Sequence, residues 1–249
     1  MSLSVVTKEN ITGGSTSNIL ISAGSNYTSG ATLVLFIIYS NSDASGKDLY
    51  TGISDDRGNT WISRTDIVQS PLSSMDDGVV MRCFSTNQDS SAIQSGDTIK
   101  IDFSSTISTY IGVLYQITSV NTITYKDAGS NSQTTSLYPS ITTSTLSLND
   151  IVLAATGGNF NGVRNADSDT TNGSWSTDEK DGIDGPPSME YISQYKIITG
   201  SGAQTYNPTF TNDGSESGIE IVSGWIAFTE DVPTPSGSTL YVMNMIMST

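Results

Sequence analysis

Residues 54–61 are the part of the chain best equipped for chemistry, an acidic turn with the sequence Ser-Asp-Asp-Arg-Gly-Asn-Thr-Trp. Calcium prefers carboxylate, amide and carbonyl oxygens, so Asp55, Asp56 and Asn59 form a candidate calcium site. The alternative is a structural turn, because Asp, Gly and Asn provide the hydrogen bonds and positive φ angles of tight turns. In that alternative, Trp61 begins the next strand with a large apolar side chain.

A second acidic run, residues 167–173, has the sequence Asp-Ser-Asp-Thr-Thr-Asn-Gly. It is similar to the calcium loop of helix-loop-helix proteins, but its Gly stands one place late and its twelfth position lacks Glu. We therefore do not expect calcium to bind there in that manner. A looser site within residues 178–184 is the alternative to the turn at 54–61, and no other cofactor is expected.

The residue inventory excludes several classes of enzyme. The chain has no His, which excludes His-dependent catalytic triads and His metal ligands. One cysteine, Cys83, is too few for Cys-rich zinc sites and is expected to be a small buried residue. A carboxylate pair of the glycosidase type stays open, although acids are so frequent that their presence indicates little. We expect a protein that is not an enzyme.

Trp175 is the aromatic residue that we expect to be exposed. It lies in the least regular stretch of the sequence, residues 159–188, where its ring could stack on a sugar or contact a protein partner. Trp61 and Trp225 lie in strand-like runs and are expected to pack in the core. The sequence therefore places a candidate ligand contact at Trp175.

The formal net charge of −15 results from 25 acidic and 10 basic residues. A negative field repels phosphate backbones and anionic lipids, so neither nucleic acid nor a membrane is expected as a partner. No apolar run approaches the roughly 18 residues of a membrane span, and the first residues lack the pattern of a secretory signal. Together with the single cysteine, these features favour folding in a reducing cytoplasm.

The elements that must position these residues are short strands, separated by turns rich in Ser, Thr, Gly, Asn and Asp. Residues 33–39 are apolar at every position, which predicts a strand covered on both faces. The spacing of the strands, without any amphipathic helix, predicts an all-β fold, an antiparallel, jelly-roll-like β-sandwich. We interpret a weak similarity between residues 31–118 and 151–229 as the two sheets of that sandwich.

The domain prediction has three parts: residues 1–16 as an N-terminal arm or edge segment, residues 17–230 as the sandwich with its long loop 159–188, and residues 231–249 as a linker and tail. Pro and Gly in residues 233–237 predict a spacer. The apolar run after it is long enough for one strand. That run supplies the candidate interface residues Leu240, Tyr241, Val242, Met243, Met245 and Ile246.

Five short motifs resemble, in order and spacing, a family of β-sandwich domains of bacterial surface proteins and phage particles. They are an apolar early strand (33–39), a Ser/Thr-Asp-x-x-Gly-Asn-Thr corner (54–61), a Gly-Asp-Thr-Ile strand start (96–99), an Asn-Asp-Leu-Val-type strand (149–153) and a closing Trp-x-x-Phe strand (225–228). The resemblance covers residues 19–229. It implies a virion or cell-surface module and no enzymatic activity.

The sequence supports two hypotheses about function. The first is a structural protein of a tailed-phage virion, either a capsid decoration (cement) protein or a fibre or spike module. Such a protein would be made in the host cytoplasm and would bind other copies of itself and virion capsid or tail proteins, with the apolar tail adding a strand to a neighbour's sheet. The second is a carbohydrate-binding adhesin or receptor-binding module that uses Trp175 and loop 159–188.

Overall fold

The computed structural model describes residues 3–41, 48–69, 78–88, 91–133, 137–160, 162–177, 179–183, 188–212 and 220–232. All regular elements in these residues are β-strands, so the all-β prediction is confirmed. The first eight strands are β1 (Ser4–Gly13), β2 (Thr16–Ser22), β3 (Thr32–Asn41), β4 (Tyr50–Asp55), β5 (Ile62–Gln69), β6 (Gly78–Thr86), β7 (Thr98–Ile107) and β8 (Tyr110–Thr118).

Nine further strands follow in the second half of the chain. They are β9 (Thr122–Gln133), β10 (Ile141–Leu146), β11 (Asp150–Asn159), β12 (Gly162–Asn165), β13 (Glu179–Ile183), β14 (Met189–Ile197), β15 (Gly202–Tyr206), β16 (Thr209–Asn212) and β17 (Glu220–Asp231). Every strand pair is antiparallel.

The strands form four layers. Inner sheet 1 has the order β1-β8-β3-β6-β5 and inner sheet 2 the order β13-β14-β11-β17-β9. Outer sheet 1 (β2-β7-β4) covers the far side of inner sheet 1, and two strand pairs (β10-β15 and β12-β16) cover the far side of inner sheet 2. Apolar clusters fill the space between each pair of neighbouring layers.

Strand β3 shows why the inner sheets need cover on both sides. Its side chains alternate, as they do in any strand. Val34, Phe36 and Ile38 pack toward inner sheet 2. Leu33, Leu35, Ile37 and Tyr39 pack toward outer sheet 1. The prediction of a strand buried on both faces is therefore confirmed, and the two faces belong to two different cores.

Each half of the chain forms a complete sandwich with the same strand order. Strands β1 to β6 correspond to β9 to β14, β8 corresponds to β17, and β7 corresponds to β15 and β16 together. Sheet orders 1-8-3-6 and 2-7-4 are those of a jelly roll, in which β5 here joins the first sheet. The similarity between residues 31–118 and 151–229 therefore marks two sandwiches. The interpretation of these segments as two sheets of a single sandwich over residues 17–230 is corrected.

The two halves pack through their inner sheets in a two-fold arrangement. Strand β1 lies against β13 as β9 lies against β5, and β8 lies against β14 as β17 lies against β6. Exchanging each strand for its counterpart converts one contact into the other, as a two-fold axis would. The approach is close at Gly157, where a Cβ would lie 2.6 Å from Ile38 Cδ1 of the other sheet and 2.5 Å from the Glu190 carbonyl oxygen.

The N-terminal residues form part of this framework. Residues 4–13, predicted as an arm or edge segment, form β1, the edge strand of inner sheet 1, and Val5 and Ile11 are buried. A free arm is excluded for these residues because the edge of inner sheet 1 supplies β8 as a hydrogen-bonding partner. The predicted spacer and tail, residues 233–249, lie outside the described residues.

Candidate functional site

Asp55 organises the acidic turn between β4 and β5. Its Oδ1 accepts hydrogen bonds from the backbone N–H groups of Arg57 (2.8 Å) and Asn59 (3.2 Å), and its Oδ2 accepts one from the indole Nε1–H of Trp61 (2.7 Å). Gly58 adopts a φ of 70°, which Gly tolerates without steric cost. The carboxylate is therefore the internal cap of the turn.

The remaining polar groups of this turn connect it to neighbouring segments. Asp56 Oδ2 accepts from the backbone N–H of Thr98 (2.8 Å), and the buried Asn59 amide exchanges hydrogen bonds with the backbone of Ser91. The guanidinium of Arg57 donates to Asp97 (Nη2 to Oδ1, 2.9 Å) and lowers the pKa of that carboxyl.

These contacts weigh against the candidate calcium site at Asp55, Asp56 and Asn59. Calcium would have to displace N–H donors from both oxygens of Asp55 and from Asp56. Within the described ranges, no group of three or more His, Cys, Asp or Glu residues is arranged to hold a metal ion. The geometry thus favours the structural alternative for residues 54–61. Residues 178 and 184 of the second calcium candidate lie outside the described residues.

The same corner recurs in the second sandwich, between β12 and β13. Residues 169–175 read Asp-Thr-Thr-Asn-Gly-Ser-Trp, which matches residues 55–61 at the Asp, at the Trp six positions later and at the hydroxyl residue before it. Asp169 Oδ1 accepts from the backbone N–H of Thr171 (3.2 Å), as Asp55 does from Arg57. Asn172 has a φ of 56°, at the position of Gly58. The repeated Asp-x-x-x-x-Thr/Ser-Trp spacing is a sequence signal of the repeated strand order.

A buried ammonium group occupies the centre of this second corner. Lys196 on β14 has no exposed surface, and its Nζ donates to Asp169 Oδ2 (2.8 Å), the Thr171 carbonyl oxygen (2.8 Å) and Gln204 Oε1 (3.1 Å). Nζ also lies 5.2 Å from the centroid of the Trp175 ring, within range of a cation–π contact. These hydrogen bonds satisfy all three N–H groups of the ammonium, and the first of them lowers the pKa of Asp169.

Asp167 closes the loop from its other side. Only 7% of this residue is exposed, and its two carboxylate oxygens accept from the backbone N–H groups of Asp169 (2.7 Å) and Asn207 (2.9 Å). Its own backbone N–H donates to Gln194 Oε1 (2.8 Å). Residues 167–173, which are similar to a calcium loop, are therefore arranged around the side-chain ammonium group of Lys196.

The expectation that Trp175 is exposed is wrong. The residue is 8% exposed, and its ring lies 4.8 Å from that of Tyr206, in the apolar cluster between inner sheet 2 and the β10-β15 pair. The physical reason is that β10 and β15 cover only part of the apolar far side of β11 and β17. The ring of Trp175, in the second corner, covers a further part. Trp225 is buried in the same cluster, and Trp61 packs at the margin of the cluster beneath outer sheet 1.

The long loop predicted at residues 159–188 contains two strands and the second corner. Strands β12 and β13 lie within it, β12 paired with β16 and β13 with β14. It has little hydrophobic periodicity because β12 and β13 are short and most of their residues are half-buried. The stretch is part of the second sandwich.

Among the grooves that the described residues form at the surface, two have mainly polar linings. One, of about 320 Å³, lies where the two sandwiches meet and is lined by Gly30, Thr32, Asn87, Val120, Asn121, Thr122 and Ile123. Beside it, Asn121 Nδ2 donates to Oε1 of the buried Glu230 (3.0 Å), whose Oε2 has no hydrogen-bond partner among the described residues. The other groove, of about 150 Å³, lies between β1 and β2.

Comparison with known proteins returned no match to a family, to a curated protein or to a solved structure. In the part of the chain that the structure describes, no helix is long and apolar enough to cross a membrane. The six tail residues proposed as an interface, Leu240 to Met243, Met245 and Ile246, lie outside the described residues. The acids of the two corners stabilise loops: they accept N–H groups of their own corner and of neighbouring segments.

Proposed function

We propose that this protein is a non-enzymatic structural component of a tailed-phage virion, a capsid decoration protein or a fibre or spike module. It is made in the host cytoplasm and acts through contacts with other copies of itself and with capsid or tail proteins. Jelly rolls are frequent in capsid proteins and in lectins, so the fold is compatible with this role without establishing it.

The observation that carries the proposal is the rigid double sandwich. A continuous apolar cluster joins the two inner sheets, with residues such as Phe36, Met81, Leu153 and Phe228 fully or almost fully buried. The corners on top of it are held by internal hydrogen bonds of Asp55, Asp169 and their neighbours. Because a double sandwich of this kind keeps one conformation, each copy offers the same binding surface to its partners. This property suits a protein that occurs in many equivalent copies in a particle.

The apolar run at residues 240–247 supplies the proposed contact between copies. Its sequence, Leu-Tyr-Val-Met-Asn-Met-Ile-Met, has strand-like composition, and the Pro- and Gly-containing spacer at 233–237 separates it from β17. Addition of such a segment to a sheet edge of a neighbour forms main-chain hydrogen bonds without a large rearrangement.

Deletion of residues 233–249 tests this proposal. The truncated chain is expected to keep its far-ultraviolet circular dichroism and cooperative thermal unfolding, and to lose self-association in sedimentation velocity runs. A truncated protein that assembles like the full chain would refute the role of the tail. Detection of the intact protein by mass spectrometry in purified particles would test the virion assignment separately.

The groove between the two sandwiches favours a second candidate, binding of a carbohydrate. Amide and hydroxyl groups from Thr32, Asn87, Asn121 and Thr122 line it, and these are the groups that bind sugar hydroxyls. A glycan array with wild type and Asn121→Ala separates the candidates. Selective binding that is lost in the variant favours the carbohydrate function, and the absence of wild-type binding to any glycan refutes it.

A further inference from the structure

Edge strands decide where another chain can add to this fold, because an edge exposes unpaired backbone N–H and C=O groups. Among the described strands, inner sheet 1 ends in β1 and β5, and inner sheet 2 ends in β13 and β9. Each of these four edges carries a device that natural sheets use against unwanted pairing.

Three of the four edges have a β-bulge with a basic residue at the unpaired position. The pairing register skips Lys8 in β1, Arg64 in β5 and Lys126 in β9. Lys8 and Lys126 occupy corresponding places in the two sandwiches. The fourth edge, β13, has only five residues, which include Glu179, Lys180 and Asp181. Bulges, charges and short length all disfavour strand addition.

Strand β2, at an edge of outer sheet 1, lacks a charged residue. Its sequence is Thr-Ser-Asn-Ile-Leu-Ile-Ser, and it pairs with β7 alone within the described chain. The register is regular from Asn18 to Ser22. Leu20, at the centre of this segment, has 59% of its surface exposed. An uncharged edge with an exposed apolar side chain is a template for pairing.

The outer edge strands β4, β12 and β10 are less suitable. On β4, the guanidinium of Arg82 lies 4.1 Å from the ring centroid of Tyr50, and the strand ends in the Asp55 corner. Strand β12 contains Arg164. Strand β10 is uncharged like its counterpart β2, but its exposed side chains are Thr and Ser.

The groove of about 150 Å³ beside β2 can receive side chains of an added strand. It is lined by Glu9, Asn10, Ile11, Thr12, Leu20, Ile21, Ser22 and Tyr110. Its lining is mainly polar, and the side chains of Ile11 and Ile21 are buried beneath it, at 6% and 4% exposure. A strand paired with β2 would direct every second side chain toward this groove, because alternate residues point to the same face.

We propose that β2 is the acceptor edge for residues 240–247 of a second copy of this chain, an inference that rests on the proposed function. In a strand, one face of that segment would consist of Tyr241, Met243, Met245 and Met247, and the groove has room for one of the Met side chains, which are flexible enough to fill irregular gaps. Leu240, Val242 and Ile246 lie on the opposite face, beside Leu20.

The path of the chain favours a second copy as the donor. Strand β17 ends at Asp231, paired with Thr122, in inner sheet 2. From there β2 lies two layers away, about 20 Å, and about three strand spacings across the stack, about 14 Å. Residues 233–239 span at most about 25 Å when fully extended, which does not cover the path around the surface to β2 of the same molecule.

The substitution Leu20→Lys in the full chain tests the acceptor edge. We expect it to weaken self-association at least tenfold in sedimentation equilibrium, because it places a charge on the edge. The matched control is Leu148→Lys, which charges a side chain of similar exposure, 61%, away from β2 and should leave association unchanged. Wild-type association of Leu20→Lys would overturn the proposal. If deletion of residues 233–249 still abolishes association in that case, the proposed function stands and only the acceptor edge is wrong.

Cysteine cross-linking provides a second, independent test. Leu20→Cys and Val242→Cys, which the proposal places on the same face of the sheet, are made as separate full-length proteins, and Cys83 does not interfere because it is fully buried. After mixing and mild oxidation, a disulfide-linked pair of the two proteins is expected on non-reducing gels. Absence of that pair in a mixture that still associates would overturn the proposal. A third protein carries both substitutions in one chain. If a disulfide forms only within that chain and never between two chains, the choice of a second copy as donor is overturned.

Discussion

Replacing Lys196 with Met tests whether the buried ammonium holds the second corner. Met replaces the apolar stem of the side chain, lacks the terminal ammonium group and so removes the three hydrogen bonds that Nζ donates. Removing one partner of a buried ion pair costs about 3–5 kcal/mol. The cost is lower here because the side chain of Asp169 is 37% exposed, so water can hydrate its carboxylate when the ammonium is absent. The Thr171 carbonyl and Gln204 Oε1 lose a donor, at about 1–3 kcal/mol for each buried acceptor left unsatisfied. We expect a loss of about 3 kcal/mol.

Urea unfolding, followed by tryptophan fluorescence, measures this effect, with Trp175 as a reporter beside the substituted residue. The matched control is Lys100→Met, which breaks the exposed Lys100–Asp102 pair (44% and 41% side-chain exposure) and should change stability by less than about 0.5 kcal/mol. A Lys196→Met protein within about 1 kcal/mol of wild type would refute the structural role of the ammonium. Additive effects of Lys196→Met and Asp169→Asn would refute their direct coupling.

Four further predictions concern the corners and the contact between the sandwiches. Asp55→Ala should cost about 2–3 kcal/mol in urea unfolding, because it leaves the Trp61 indole and the turn N–H groups without their acceptor. Since the pKa of Asp169 is lowered in the folded state, its contribution to stability should be complete above the unfolded value, about 4, and lost as the pH falls through the folded value; Asp169→Asn should flatten that acid-side slope. Gly157→Ala should cost at least about 2 kcal/mol, because its Cβ meets Ile38 and a carbonyl oxygen, whereas Gly52→Ala, with open space around its Cβ, should cost under about 1 kcal/mol. Millimolar calcium should leave the thermal unfolding midpoint unchanged, because N–H donors occupy the Asp55 oxygens; a rise of several degrees would contradict this.

The pattern of apolar side chains along the strands was sufficient to predict the class of fold. Residues 33–39 predicted a strand covered on both faces, and each face of β3 proved to belong to a different apolar core. The count of sandwiches was missed because a continuous apolar run does not tell which sheet covers it. The repeated Asp and Trp of residues 55–61 and 169–175 are the sequence signal for two sandwiches. This repeat is not evident when the first segment is interpreted as a turn and the second as part of an irregular loop.

The second corner was beyond pattern reasoning for a physical reason. Lys196 stands in a strand-like run where a charged residue usually faces water, yet its side chain is buried. Its burial is stabilised by acceptors from two other segments, residues 169–171 and, eight positions along the chain, Gln204. Trp175 is buried for the same reason, since Lys196 and Tyr206 meet it only after the chain has folded. Local sequence contains no information on such partners until the topology is known.

The tandem arrangement of the two sandwiches frees their contact from two constraints on symmetric dimers. In a homodimer, one coding segment specifies both sides of the interface, so each substitution acts twice. Here the two sides are encoded by separate segments of the chain, so a substitution on one side leaves the other side unchanged. Covalent linkage also keeps each sandwich beside its counterpart at any dilution. The inner contact therefore persists at concentrations where contacts between separate molecules dissociate.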